Sequence, residues 1–196
     1  MTASPKRFIL ASSSIYRRDL LKRIINNFEC ISPDIDESQK INENAKEMAI
    51  RLSVEKAKKI SSKIEGDNLV VIGCDQTAFC DNYLLQKPIT FEKAFEQLQF
   101  IRGKSVEFFS AFCLINKESK KVHSEVVQFS ALYRNFNDDE ISNYLQIDKP
   151  YNCVGSIKSE SYGITMLESI ESDDPTAIIG LPLIKLSKIL SSEKLL

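Results

Sequence analysis

The stretch Arg7–Leu21, RFILASSSIYRRDLL, constrains the fold more than any other. Phe8, Ile9, Leu10 and Ala11 read as a short buried strand, followed by three serines, two arginines and apolar residues at helical spacing. A strand that feeds a helix through a tight turn is the repeating unit of α/β architecture. The turn also suits an anion, because the free N–H groups and dipole of a helix start favour negative charge. Ser12 and Ser14 would add short donors, and Arg17 and Arg18 forked ones. A serine N-cap followed by two solvated arginines accounts for the same residues. On this stretch alone both readings stand.

The rest of the chain continues the alternation. Leu20, Leu21, Ile24, Ile25 and Phe28 share a helical face, which predicts a helix over 16–28 ending at Asn26-Asn27, and then a strand at Phe28–Ile31. Ser32–Ser38, SPDIDES, is a loop whose carboxylates Asp34, Asp36 and Glu37 need a cation or donors nearby. A magnesium-type ion would meet that need, and so would the start of the next helix. That helix is predicted over 43–62, with Ala45, Met48, Ala49, Leu52 and Ile60 on its apolar side. Lys56, Lys58 and Lys59 crowd its second half, either as a solvated face or with one lysine reaching a phosphate.

Asn68–Gly73, NLVVIG, is a continuous apolar run and hence a candidate central strand, ending in Gly73-Cys74-Asp75-Gln76-Thr77. Open α/β sheets place their chemistry at strand ends, which makes Asp75 the best candidate for a general base. An N-cap or structural acceptor is its other reading. Ala78–Cys80, Asp81-Asn82 and Tyr83–Leu85 read as a hairpin that could return Lys87 toward Asp75; alone, Lys87 reads as a loop lysine. Helices follow at 91–101 and 138–145, the latter capped by Asn137 or Asp138, with long strands at 106–115 and 122–133. The stretch 153–165, CVGSIKSESYGIT, carries Lys158 and Glu160 and reads as a connection or a pocket rim before a strand at Ile164–Leu167. Leu183, Leu186, Ile189 and Leu190 define a terminal amphipathic helix.

Composition removes several function classes. The 196 residues suit one domain spanning 1–196, with no repeat or linker. A net charge of -1 argues against bulk nucleic-acid binding, which needs a basic surface. Five cysteines without a CxxC pair point to free thiols in a reducing cytoplasm, and Cys74 reads as a core residue despite its charged neighbours. His123, the single histidine, has no motif around it for a zinc site or a Ser-His-Asp triad and reads as a surface strand residue. No apolar run reaches membrane-spanning length.

Six motifs in order, ASSSIYRRDLL (11–21), PDIDE (33–37), RLSVEKA (51–57), VIGCDQ (71–76), QKP (86–88) and GSIKSESYGIT…GLPL (155–183), resemble the Maf family of nucleotide pyrophosphatases over nearly the full length. The resemblance implies an elongated, bent mixed β-sheet flanked by helices, with two lobes around a central cleft. It also implies cleavage of a nucleoside triphosphate between its α- and β-phosphates, giving a monophosphate and pyrophosphate. A divalent metal, magnesium or manganese, is the implied cofactor, and a homodimer the implied assembly. Asp75-Gln76 and GSIKSESYGI are similar to the branch acting on 7-methyl-GTP, where the dTTP/UTP branch has Asp-Thr and GxYxIQG.

By position, the resemblance assigns Ser12, Ser14 and Arg17 to the triphosphate, and Glu37 to metal or water polarisation. Asp75 becomes the base and a metal ligand; Lys56 and Lys87 neutralise phosphate charge. Tyr16, Gln76 and Glu160 fall at positions associated with base choice, and Arg18 drops to a surface or structural role. The chain departs from the pattern at three places: Tyr16 stands where the branch has Trp, Ile15 where the family has Pro, and SESYG replaces SEGFG. Two rival functions follow: the same reaction on dTTP, UTP or another modified nucleotide, and a nucleotide-sensing regulator of cell division.

Overall fold

The computed structural model describes residues 6–196. Seven strands form one mixed sheet in the order β2-β1-β3-β5-β6-β7, with β4 paired to β3 off this path. The strands are β1 (Arg7–Ala11), β2 (Glu29–Cys30), β3 (Leu69–Cys80), β4 (Tyr83–Leu85), β5 (Ser105–Asn116), β6 (Lys121–Tyr133) and β7 (Leu167–Glu171). The helices are α1 (Ile15–Leu21), α2 (Ala45–Lys63), α3 (Phe91–Ile101), α4 (Asp138–Asp148) and α5 (Leu183–Ser192). β1 runs parallel to β2 and β3, whereas β3–β4 and β6–β7 are antiparallel. The described residues divide into two compact units: 6–75, 110–127 and 174–196, and 76–109 and 128–173.

In the first unit, side-chain alternation sorts the core into two layers. Leu10 of β1 and Val70, Ile72 and Cys74 of β3 share a cluster with Leu20 and Leu21 of α1 and Leu183, Leu186 and Leu190 of α5. Ile9, Ala11, Leu69 and Val71 share the other cluster with Ala57 and Ile60 of α2. β1 and β3 are thus covered on both faces, as parallel strands require. In the second unit α3 and α4 pack together, and Ala94, Leu98, Ile101, Ile141, Tyr144 and Leu145 on them are buried. Phe108 stacks on Phe129 at 4.9 Å between ring centroids.

Three element predictions are corrected. The first helix ends at Leu21, not Asn27: Arg23 and Ile24 donate to carbonyls three residues back, so tight turns continue the path. Ile25 stays buried there, with Ile24 and Phe28 packed on the same core, so the apolar spacing reported burial and not helix. β3 does not stop at Gly73; it runs to Cys80, which puts Asp75 inside the strand and rules out its N-cap reading. The strand expected at Ile164–Leu167 is a 3₁₀ turn over Tyr162–Met166, and β7 starts only at Leu167. The hairpin stands as expected, with Asp81 and Asn82 both at positive φ, as its tight turn requires.

Candidate active site

Asp75 and Lys56 meet because of one missing side chain. A Cβ on Gly73 would lie 2.3 Å from the Ser53 carbonyl oxygen and 2.6 Å from the Ala57 nitrogen, so only glycine admits α2 this close to β3. Residues two apart on a strand face the same way, so Asp75 also points at α2. Lys56, next to Ala57, meets it there: Lys56 Nζ donates to Asp75 Oδ1 at 2.6 Å. Glu37, on the loop after β2, brings Oε1 to 2.6 Å from the same Nζ. Lys56 and Asp75 are 4% and 6% exposed, so their charges are sustained by pairing. The half-exposed Glu37 closes the cluster on its outer side.

The opening turn lies in the same unit. Ser14 caps α1, its Oγ accepting from the Arg17 N–H at 3.4 Å, while the Ser14 N–H donates to Ser12 Oγ at 3.1 Å. Arg17 donates from Nε to the Gly180 carbonyl and from Nη1 to the Cys74 carbonyl, each at 3.0 Å. It therefore ties the turn to β3 one residue before Asp75. Gly180 has φ +115°, and a Cβ there would sit 3.1 Å from Arg17 Nε. Tyr16 is half-buried, and exposed Arg18 pairs with Asp19. Burial raises the Cys74 thiol to about 11, with Arg17 and Lys56 pulling the other way, as its core reading requires.

In the second unit, half-buried Gln76 follows Asp75 along β3. Lys87 is exposed two residues beyond β4, in a segment held by Gln97 Nε2 donating to the Gln86 carbonyl and by the Ile89 N–H donating to the Tyr151 carbonyl. Glu160 is exposed at the tip of a bend, yet its surroundings desolvate the carboxyl enough to raise it above the usual range. Buried Asp148 accepts from Ser161 Oγ at 2.6 Å and the Gly163 N–H at 2.7 Å, and the Tyr144 hydroxyl bridges the Ser156 carbonyl and the Lys158 N–H. The sequence reading missed Asp148 and Tyr144. It also missed Arg51 and Glu43, although RLSVEKA puts an arginine on the same helix as Lys56.

Among the described residues, no group of three or more His, Cys, Asp or Glu side chains assembles as a metal cage, and no helix is long and apolar enough to cross a membrane. Asp75 and Glu37 nonetheless converge on one cation. Two carboxylates, with phosphate oxygens completing the shell, form the donor set magnesium takes at phosphate sites. The residues present therefore fit such an ion.

Fold and cluster together define a class: a mixed α/β protein whose central strand carries an acid paired to a helix-borne lysine, with a second carboxylate beside them. The family model described as "Maf-like protein" matches residues 7–193, and the chain belongs to that family. A protein of Methylobacillus flagellatus named "7-methyl-GTP pyrophosphatase" is 44% identical over 94% of this chain and 95% of its own. One of Bordetella pertussis with the same name is 46% identical over 97% and 94%, and one of Colwellia psychrerythraea 40% over 94% and 92%.

Proposed function

We propose that this chain is a nucleoside triphosphate pyrophosphatase that converts 7-methyl-GTP and water to 7-methyl-GMP and pyrophosphate. The buried Lys56–Asp75 pair with Glu37 beside it is the observation that carries the reading. The names of the relatives supply the substrate. Phosphoryl transfer asks an enzyme for charge neutralisation and an aligned nucleophile more than for covalent chemistry. Asp75 takes a proton from the water as its oxygen bonds to the α-phosphorus, and pyrophosphate leaves with the bridging oxygen. Lys56 and Lys87 neutralise phosphate charge. Ser12, Ser14 and Arg17 hold the triphosphate, with Arg17 also keeping its turn on β3. Asp75 and Glu37 would hold a magnesium or manganese ion, which when bound offsets charge on the phosphate oxygens.

The base is cationic when methylated at N7, which gives an aromatic ring a cation–π attraction of up to about 2 kcal/mol when desolvated. Tyr16 is assigned that contact, and Gln76 and Glu160 the hydrogen bonds to the base. The test is pyrophosphate release from 7-methyl-GTP, GTP, UTP and dTTP by the wild type and Asp75→Asn. The expected result is metal-dependent release, fastest from 7-methyl-GTP, with kcat lowered at least about 100-fold in Asp75→Asn. Equal turnover of UTP and 7-methyl-GTP would overturn the substrate. No release from any triphosphate would overturn the enzyme reading and favour a nucleotide-sensing role. Glu160→Gln should narrow the preference for 7-methyl-GTP over GTP; an unchanged ratio removes Glu160 from base recognition.

A further inference from the structure

Arg51 lies on α2 five residues before Lys56, and four hydrogen bonds leave its guanidinium. Nε donates to Glu43 Oε1 at 2.5 Å and Nη2 to Glu43 Oε2 at 2.8 Å, a bidentate fork. Nη1 reaches Glu55 Oε2 at 3.1 Å. Nη2 also donates to the backbone carbonyl of Ser38, the residue after Glu37, at 2.9 Å. The side chains of Arg51 and Glu43 are 15% and 8% exposed, so this is no surface pair.

The rest of the loop is tied into the same knot. Glu43 accepts the Lys40 N–H at 3.0 Å, and its carbonyl takes Gln39 Nε2 at 2.7 Å. On the other side of Glu37, Asp36 accepts the Ser38 N–H at 2.9 Å and the Ser38 hydroxyl at 3.0 Å. Glu37 itself sits on an exposed loop, where backbone freedom would otherwise scatter its carboxylate. The bond from Arg51 to the Ser38 carbonyl ties the main chain of this loop to α2 right beside Glu37.

We propose that Arg51 is the positioning residue for Glu37: locked by Glu43, its guanidinium holds the Ser38 carbonyl and so keeps the Glu37 carboxylate on Lys56 beside Asp75. The same helix then sets both partners, Lys56 directly and Glu37 through Arg51. Lysine keeps the charge at this position but has no fork, so it cannot hold Glu43 and Ser38 together.

The catalytic consequence rests on the pyrophosphatase reading; the positioning does not, and the experiment separates them. Arg51→Lys, Glu43→Gln, Glu37→Gln and the double variant Arg51→Lys/Glu37→Gln are made in the full chain. The first two should lower kcat by about 10- to 100-fold with KM unchanged. In the Glu37→Gln background, Arg51→Lys should cost nothing further. Equal losses with and without Glu37 would mean a merely structural arginine and overturn the proposal. Without any nucleotide, hydrogen exchange at the Ser38 and Lys40 amides should quicken about tenfold in Arg51→Lys, with α2 around Lys56 still protected. Unchanged exchange there overturns the positioning. Should the wild type hydrolyse no triphosphate, the function reading falls while the exchange arm still decides this one.

Discussion

Replacing Gly73 by alanine perturbs the candidate active site without touching a charged residue. The new methyl group would meet backbone, the Ser53 carbonyl at 2.3 Å and the Ala57 nitrogen at 2.6 Å, so no side-chain rotation relieves it. Reaching ordinary contact distance asks α2 to retreat from β3 by about 1 Å. Overpacking of this kind costs about 3 kcal/mol, the upper part of its usual range, because both partners are fully packed main chain. For a chain of this length that lowers Tm by about 6–12 °C. The same retreat lengthens the Lys56–Asp75 contact from 2.6 Å to beyond hydrogen-bond reach. A misplacement of about 1 Å costs up to about 100-fold in rate. Calorimetry and pyrophosphate release on one preparation test both halves. A Tm within about 2 °C of wild type with undiminished kcat would refute the claim that glycine at this point sets the site's geometry.

The Lys56–Asp75 pair offers a second contrast. Lys56→Met alone leaves Asp75 buried beside Glu37 with Lys56's charge gone and should cost about 3 kcal/mol, whereas Lys56→Met/Asp75→Leu should recover most of it, read by urea unfolding. Glu43 should make stability acid-sensitive. Hydrogen bonding from Arg51 lowers its folded value from 4.5 to about 2, so its contribution is full above pH 4.5 and is lost as pH falls toward 2. The lost contribution is about 1–2 kcal/mol after solvent screening, and unfolding curves between pH 5 and 2 should be flatter for Glu43→Gln. Burial raises the thiols of Cys74 and Cys113 to about 11, while Cys30 is exposed. Iodoacetamide at pH 8 should label Cys30 first and the other two only as the chain unfolds, as read by mass spectrometry.

The strand-and-helix alternation was legible because burial writes its period into sequence, and the same fact explains the errors. Leu20, Leu21, Ile24, Ile25 and Phe28 all pack on one core, yet only the first two lie in α1. Apolar spacing marks which residues go inside and is silent on where a helix relaxes into turns. β3 fails in the opposite sense. Its apolar run stops at Gly73, but the strand continues through Asp75 because Lys56 satisfies the carboxylate from another element. A polar residue inside a strand looks like a strand end until its partner is known. At the site, Asp75, Lys56 and Glu37 were each visible as residue types suited to phosphate chemistry. That they share one ammonium contact depends on Gly73 and on the Arg51 clamp, neither of which has a chemical signature of its own.

Arg17 shows the limit most sharply, and what it does bears on how the site is held. Forked arginine beside serines reads as a phosphate grip, and two of its nitrogens also hold the carbonyls of Gly180 and Cys74. Those bonds join the opening turn, the strand residue before Asp75 and the loop leading into α5. Arg51 does the equivalent at the other side, joining α2 to the loop of Glu37. Each arginine fixes the backbone of a residue next to a site carboxylate, Cys74 before Asp75 and Ser38 after Glu37. A cluster with two carboxylates around one lysine carries excess negative charge and would drift apart if its loops were free. Fixing the main chain on both sides holds the acids together ahead of the cations they would meet in substrate turnover. That is preorganisation in the sense phosphoryl chemistry rewards, with the reorganisation cost met during folding and not at the moment of reaction.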